Sequence, residues 1–493
     1  MFYPDFKEFE EKAKEGNLIP VYKEILADLE TPLSAYLKLK VKTGFLLESV
    51  VGGEKWARYS FIGGNPSVII EGKGKNLIVK RGLQKEKIKT DDPLKVISDE
   101  LKKYKPVTML GLPRFFGGFV GYIGYDTVRH FEKLPDKHLA GLNLPDLFLM
   151  LTDTLLVFDG LTQKIKVISN AHTDGKNAKK AYDEAIQKIE SIEKKLKSRA
   201  VPPKEKSVSA GVGEQKQFTS NFKKENFLKA VEKAKDYVTA GDVIQVVLSQ
   251  NFQRDVDIHP INAYRALRVI NPSPYMYYIE TGKSAIVGSS PEILVRLEGN
   301  TIELRPIAGT RKRGNTAEED KRLEQELKAD PKELAEHIML VDLGRNDVGR
   351  VAVTGSVNVT ELMTVERYSH VMHLVSNVTG KLHNGLDAFD VLRASFPAGT
   401  VTGAPKIRAM EIIEELEPTK RGPYAGCVGY FDFSGNMDMC ITIRTIIFKG
   451  KKAYIQAGAG LVADSVPENE YTETVNKAKG MFKAVEMAEN NLS

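Results

Sequence analysis

Glu333 and Glu336 in KELAEHIMLVDLGRND, and Glu470 and Glu473 in PENEYTETVNKAKG, form two carboxylate pairs, each with a spacing of three residues. In a helix that spacing puts both members of a pair on one face, so two such helices side by side would bring up to four carboxylates together. Converged carboxylates repel one another unless a cation neutralises them. Hard oxygen donors with no cysteine nearby suit Mg²⁺, which keeps positions for water and substrate oxygens. The chemistry indicated is the holding of an anionic substrate through a metal.

A second role competes for two of the four. Asp330-Pro331-Lys332-Glu333 has the form of a capping box, with Asp330 at N-cap, Pro331 at N1 and Glu333 at N3, and Ser465-Val466-Pro467-Glu468 reads the same way. Glu333 and Glu470 therefore fit a helix start or a solvated helix face as well as a metal. Glu336 and Glu473 lie inside their helices beside apolar residues (Leu334, Ile338 and Val341; Tyr471 and Val475), and Lys477 follows Glu473 at i+4, placed to pair with it or with an anionic ligand.

The elements that must carry these groups come in two unequal parts. Residues 1–195 hold short apolar runs broken by glycine and charge, such as GFLLESV, YSFIGGNPSVIIEG and LFLMLTDTLLVFDG, which predict antiparallel strands, followed by a helix in AKKAYDEAIQKIESIEKKLKSRA. Residues 196–218 lose both periodicity and large apolar side chains and read as a linker or long loop. Residues 219–493 begin with an amphipathic helix in which Phe227, Val231, Ala234 and Val238 share a face and Gly241 marks the end. DVIQVVLSQNF, SAIVGSSPEILVRLEG and NTIELRPIAGT predict strands before the first glutamate helix, and VAVTGSVNVTELMTVERYSHVMHLVSNVTG predicts more after it.

Composition narrows the class of protein. With 493 residues and 42% hydrophobic content the chain can bury a sizeable core in two or three domains. The balance of 71 Lys plus Arg against 65 Asp plus Glu gives +6, spread along the chain, unlike the concentrated patch of a nucleic-acid binder. Cys427 and Cys440 are too few and too isolated for a disulfide framework, a zinc site or a cysteine-based glutaminase. No apolar run approaches the roughly 18 residues of a membrane span, and MFYPDFKEFEEKAKEG lacks the form of a signal peptide, so a cytoplasmic protein is expected. His370 and His373 are three residues apart, but no HExxH or cysteine partner supports zinc.

Ten motifs in order, NPSPYMYYI, GSSPE, ELRPIAGTRKRG, KELAEHIMLVDLGRND, RYSHVMHLVSNVTG, AGTVTGAPKIRAM, RGPYAGCVGY, ITIRT, AGAGLVADS and ENEYTETVNKA, give a chain that resembles the chorismate-utilising enzymes, and within them the anthranilate synthase component I group. The resemblance implies an α+β fold of two stacked antiparallel β-sheets flanked by outer helices, with a regulatory tryptophan site in the N-terminal region and the chorismate-binding catalytic region in residues 219–493. It implies conversion of chorismate and ammonia to anthranilate and pyruvate through aminodeoxyisochorismate, with Mg²⁺, as the first committed step of tryptophan biosynthesis.

It also implies roles for residues. Glu336 and Glu473 would hold Mg²⁺, assisted by Glu333 and Glu470. Arg444, Tyr424 and Lys477 match positions that hold the substrate carboxylates, and guanidinium suits bidentate recognition. Gly309 and Thr310 in IAGT, and Gly458, Ala459 and Gly460 in AGAG, would bring backbone N–H groups to the anion, with a glycine turn between strands as the alternative. Glu292 matches the general acid for the leaving 4-hydroxyl, and His373, with Thr400, matches the group tied to loss of pyruvate. Ala308 stands where aminodeoxychorismate synthases commonly carry a lysine nucleophile. Gln245 stands in the catalytic set about where isochorismate and salicylate synthases place a water-activating lysine, and glutamine cannot be that base. Glu48 and Ser49 of LLES, with Asn271, Pro274, Tyr275 and Met276 of NPSPYM, match a pocket for tryptophan as feedback inhibitor. Ammonia would come from a separate glutamine amidotransferase subunit, anthranilate synthase component II.

Overall fold

The computed structural model describes residues 1–50, 58–136, 141–174, 177–203, 217–368, 371–490 and 492. His370 and residues 204–216 of the expected linker lie outside the described residues.

Two antiparallel sheets of twelve strands each carry the fold. The first runs in the order Leu18–Leu26, Lys164–His172, Thr154–Asp159, Tyr59–Gly64, Gly44–Glu48, Tyr275–Glu280, Ser284–Ser290, Thr445–Lys449, Lys452–Leu461, Gln245–Asp255 and Thr219–Ser220. The second runs Ile307–Lys312, Val371–Lys381, Thr301–Leu304, Ile293–Glu298, Met437–Ile441, Cys427–Asp432, Gly118–Ile123, Leu147–Thr152, Val68–Lys73, Asn76–Arg81 and Gln84–Lys89. Gly403–Ala404 pairs with Gln245–Asp255, and Asn358–Arg367 with Val371–Lys381. Both sheets contain strands from either side of residues 196–218, so the two parts of the chain share their sheets and a continuous core.

Strand alternation explains the layering. Phe45, Leu155, Tyr277 and Ile286 enter the cluster between the sheets, while their neighbours Leu46, Leu156, Tyr278 and Val287 enter the cluster beneath the outer helices. Successive side chains in a strand point to opposite faces, so one apolar run feeds two cores. Helices Ala178–Leu196, Pro260–Ile270 and Pro467–Glu489 cover the outer face of the first sheet. Helix Lys224–Thr239 buries Phe227, Val231 and Ala234 against Gln245–Asp255 and helix Lys406–Leu416, and Gly241 follows its end at φ +83°. Helix Pro331–Gly349 packs on the second sheet through Ile307–Lys312 and Val371–Lys381.

Several apolar runs cross from one sheet to the other, and these crossings matter for the site. The stretch from Ser284 to Glu298 leaves the first sheet at Ser290 and enters the second at Ile293, with Glu292 in the crossing. The stretch from Met437 to Lys449 returns from the second sheet to the first between Ile441 and Thr445, with Arg444 in the crossing.

Candidate active site

Where the chain crosses between sheets, a cavity of about 690 Å³ opens between them. Gln245, Gln456, Gly458 and Gly460 line it from the first sheet, Gly309, Thr310 and His373 from the second, and Glu292 and Arg444 from the crossings. Thr400 and Tyr424 complete its floor, and Glu333, Glu336, Glu470, Glu473 and Lys477 reach it from the two helices. All the expected catalytic, substrate and metal residues except Ala459 therefore face one space. Ala459 lies in the ladder opposite Leu248, and its methyl group belongs to the packed cluster containing Phe227 and Val231.

The two helix starts differ from one another. Asp330 caps Pro331–Gly349, accepting from the amides of Lys332 at 3.0 Å and Glu333 at 3.3 Å. The Glu333 carboxylate does not fold back to complete a capping box but pairs with Arg311 Nη1 at 2.9 Å. At Pro467–Glu489 the N-cap is Val466, which has no side chain to offer. Ser465, one residue earlier than a cap requires, accepts instead from the Val462 amide at 3.1 Å and acts on Glu470.

The four carboxylates line the cavity without forming one cluster. Among the described residues, no three His, Cys, Asp or Glu side chains stand close enough to hold an ion between them. Glu333 is held by Arg311, Glu336 accepts from Gln245 Nε2 at 3.1 Å, and Glu473 pairs with Lys477 at 2.7 Å. Burial raises the pKa of Glu470, and the neighbouring Glu473 charge adds to that rise, against the Ser465 hydroxyl and Lys477. The donor set is oxygen throughout. Mg²⁺ is commonly bound by one or two carboxylates together with substrate oxygens and water, so the chemistry of Glu336 and Glu473, which both line the cavity, fits that ion.

Arg444 is the strongest electrostatic feature. Its backbone takes φ +49°, a conformation that side-chain-bearing residues rarely adopt. Its guanidinium makes no hydrogen bond or ion pair among the described residues, although burial lowers its pKa against the opposing pull of Glu292. The side chain is half-buried on the cavity wall, and a partly desolvated cation without a partner is stabilised by an anion in the cavity. Lys477 adds a second cation and donates to the Gly458 carbonyl at 3.1 Å.

Glu292 and His373 are tuned for proton transfer. Burial raises the Glu292 carboxyl to about 8, overriding the Thr400 hydroxyl and the cations Arg444 and Lys477, so the group carries its proton at neutral pH. His373 Nδ1 lies 3.0 Å from the Gly309 carbonyl and 3.0 Å from Thr310 Oγ1. Burial lowers its pKa, so the ring is neutral at neutral pH. Thr400 Oγ1 is buried and makes no hydrogen bond of ordinary length.

Two glycines have a steric reason. Gly309 takes φ +62° at a bulge between Ala308 and Thr310, which turns its carbonyl toward His373. A Cβ at Gly458 would stand 2.7 Å from the Tyr424 hydroxyl. Alternation along Lys452–Leu461 places Gln456 on the cavity face with Gly458 and Gly460; that parity identifies Gln456, which motif matching passes over. Behind the wall, fully buried Arg421 donates to the carbonyls of Val401 and Val247, each at 2.7 Å, and pairs with Glu417. Glu417 in turn accepts from Ser249, whose hydroxyl accepts from Gln456 Nε2 at 2.9 Å. Only the spacing of four to Glu417 is local to Arg421, and its carbonyl partners Val247 and Val401 lie on separate elements.

The residues expected to hold tryptophan gather at the junction of Gly44–Glu48 and Tyr275–Glu280, where Glu48 opposes Met276. The Glu48 carboxylate is buried and bonded by Tyr264 and by Arg268 at 3.3 Å. Ser49 Oγ is buried without a partner. Asn271 Nδ2 donates to Ser289 Oγ at 3.1 Å. Pro274 is half-buried and Met276 fully buried. The Tyr275 hydroxyl points into the second sheet, donating to Asp438 at 2.9 Å and accepting from Arg296 at 3.0 Å.

Residues 52–483 match the chorismate binding enzyme family. The chain is 51% identical over 492 residues to anthranilate synthase component 1 of Acetivibrio thermocellus, covering 99% of each chain. It is 53% identical over 483 residues to anthranilate synthase component 1 of Aquifex aeolicus (strain VF5), covering 96% of each. The crystal structure of anthranilate synthase component I from Streptococcus pneumoniae TIGR4 is similar with a TM-score of 0.75 and 38% identity, covering 93% of this chain and 98% of that one.

Proposed function

The chain belongs to the chorismate binding enzyme family, and from that premise we propose how its cavity performs anthranilate synthase component I chemistry, the conversion of chorismate to anthranilate in tryptophan biosynthesis. The observation that carries the reading is Arg444, a half-buried guanidinium without an anionic partner among the described residues, lining the cavity with Lys477, Tyr424 and a proton-bearing Glu292.

Chorismate carries two carboxylates, and Arg444 with Lys477 receives the enolpyruvyl end while Tyr424 packs beside it. The ring carboxylate sits toward Glu336 and Glu473, with Glu333 and Glu470 supporting their helices. Mg²⁺ held there by Glu336 and Glu473 would neutralise that carboxylate and polarise the ring. Glu292 gives its proton to the departing 4-hydroxyl as ammonia adds at C2. His373 then takes the C2 proton of aminodeoxyisochorismate through Nε2 as the C3–O bond breaks, the departing pyruvate enolate takes a proton back from the imidazolium as it becomes pyruvate, and the ring becomes aromatic. Thr400 places its hydroxyl beside Glu292 at the substrate, and Gln245 holds Glu336 in place.

Ammonia is supplied by a separate glutamine amidotransferase subunit, since Cys427 and Cys440 are both buried in the core. Tryptophan binds between Ser49 and the 271–276 turn and inhibits; Ser49→Phe removes that inhibition, and unaltered inhibition in this variant overturns the assignment. The protein acts in the cytoplasm. Titration calorimetry of chorismate onto the Mg²⁺-loaded chain tests the anion site. Arg444→Met weakens binding by about a hundredfold or more, whereas Arg444→Lys keeps part of it; full affinity in Arg444→Met contradicts the reading.

A further inference from the structure

The two crossings that carry Glu292 and Arg444 are tied together by one residue. Ser289 is fully buried near the end of strand Ser284–Ser290, and its backbone N–H donates to the Arg444 carbonyl at 3.1 Å. That bond falls on the residue whose backbone is held at φ +49°. The direction of the guanidinium therefore depends on where Ser289 sits.

The Ser289 side chain is fully committed on its other side. Its hydroxyl donates to the Asn271 carbonyl, and its oxygen lies 3.1 Å from Asn271 Nδ2 and 2.8 Å from Ser273 Oγ. A hydroxyl has one proton and two lone pairs, and the Asn271 carbonyl can only accept, so the two remaining contacts fill both lone pairs. The Ser273 carbonyl in turn accepts from the Val50 amide at 3.4 Å, next to Ser49, whose hydroxyl is buried without a partner. A continuous set of hydrogen bonds thus runs from Val50 through Ser273 and Ser289 to Arg444.

We infer that Ser289 is a positioning residue that sets Arg444 for chorismate and transmits to it the state of the turn at 271–273. The inference rests on the tryptophan site proposed above. A ligand that displaces the turn moves Ser289, and Ser289 moves the carbonyl that fixes the Arg444 backbone, so chorismate affinity falls. Linkage requires the reverse as well: chorismate must weaken tryptophan binding by the same factor.

The test combines steady-state kinetics with tryptophan titration of the full chain, with Mg²⁺, in the presence and absence of chorismate and without an ammonia source in the titrations. Ser289→Ala raises the KM for chorismate at least fivefold with a smaller change in kcat. It leaves the tryptophan Kd within threefold and reduces the effect of chorismate on that Kd at least fivefold. In an Arg444→Lys background the same change moves KM less than twofold, because the residue it acts through is already altered. Equal shifts of KM in both backgrounds, or full retention of KM and of the mutual effect in Ser289→Ala, overturn the inference. Should Ser289→Ala fail to fold, Ser273→Ala removes one of the three contacts and is held to the same pattern at smaller amplitude. If the unaltered chain binds no tryptophan, the tryptophan site is wrong and the paired KM values alone decide the role of Ser289.

Discussion

His373 Nδ1 stands 3.0 Å from the carbonyl oxygen of Gly309, an atom that can only accept a hydrogen bond, so Nδ1 carries the ring proton and Nε2 presents a lone pair. The bulge at Gly309 fixes the tautomer, and burial keeps the ring neutral. One backbone distortion thereby makes His373 a base instead of an acid.

Removal of that base separates the two halves of the reaction. His373→Ala consumes chorismate but forms anthranilate about 10²–10⁴ times more slowly, and aminodeoxyisochorismate accumulates. Chromatography of the products checks this. Loss of chorismate consumption together with anthranilate would assign His373 to the first half instead.

Glu292 predicts an alkaline limb. Its acid form is required, so the rate at a fixed concentration of unprotonated ammonia falls as pH rises through about 8. The folded chain holds this proton to about 8 whereas an ordinary glutamate carboxyl releases it at 4.5, so between those values the folded state binds more protons and stability declines as pH rises. Glu292→Gln abolishes that decline along with the activity. The difference in melting temperature between Glu292→Gln and the unaltered chain widens from about pH 5 to about pH 8.

The proposed metal ligands are unequal. Glu336→Gln and Glu473→Gln each raise the Mg²⁺ concentration needed for half-maximal chorismate binding by about tenfold or more. Glu333→Gln changes it by less than about threefold, because Arg311 already neutralises that carboxylate. Calorimetric Mg²⁺ titrations in the presence of chorismate distinguish these outcomes.

Gly458→Ala crowds the cavity from its floor. The added methyl would stand 2.7 Å from the Tyr424 hydroxyl, with the Leu248 carbonyl 2.9 Å away, so the tyrosine must yield. The KM for chorismate rises about tenfold while far-UV circular dichroism is unchanged, since a shift of about 1 Å in a positioning group costs up to a hundredfold.

The parts of the site that were legible in the sequence are those governed by local period. Helical spacing brought Glu333 with Glu336, and Glu470 with Glu473, to one cavity, because 3.6 residues per turn acts within a single element. Strand parity along Lys452–Leu461 retains Gln456, Gly458 and Gly460 and removes Ala459, while Ala457 lines the cavity against that parity. Glu292 and Arg444 have no such local mark. They reach the cavity because the chain changes sheets at each, and the pairing of strands far apart in sequence decides where those crossings meet. Arg311 claims Glu333 across 22 positions, and this ion pair reduces the expected cluster of four carboxylates. Ser465 fell one residue short of its expected cap, and a proline at N1 allowed the Pro467–Glu489 helix to start from Val466 without a side-chain cap. The interleaving of both sheets across residues 196–218 was likewise beyond local reading, since loss of periodicity marks a connection and not the edge of a core.

The most direct test is anthranilate fluorescence from the purified chain with chorismate, ammonium salt at alkaline pH and Mg²⁺, repeated with EDTA and with glutamine in place of ammonium. Signal with ammonium that EDTA removes and glutamine does not restore is the predicted result. Anthranilate formed from glutamine by this chain alone, or chorismate left unchanged with ammonium and Mg²⁺, contradicts it.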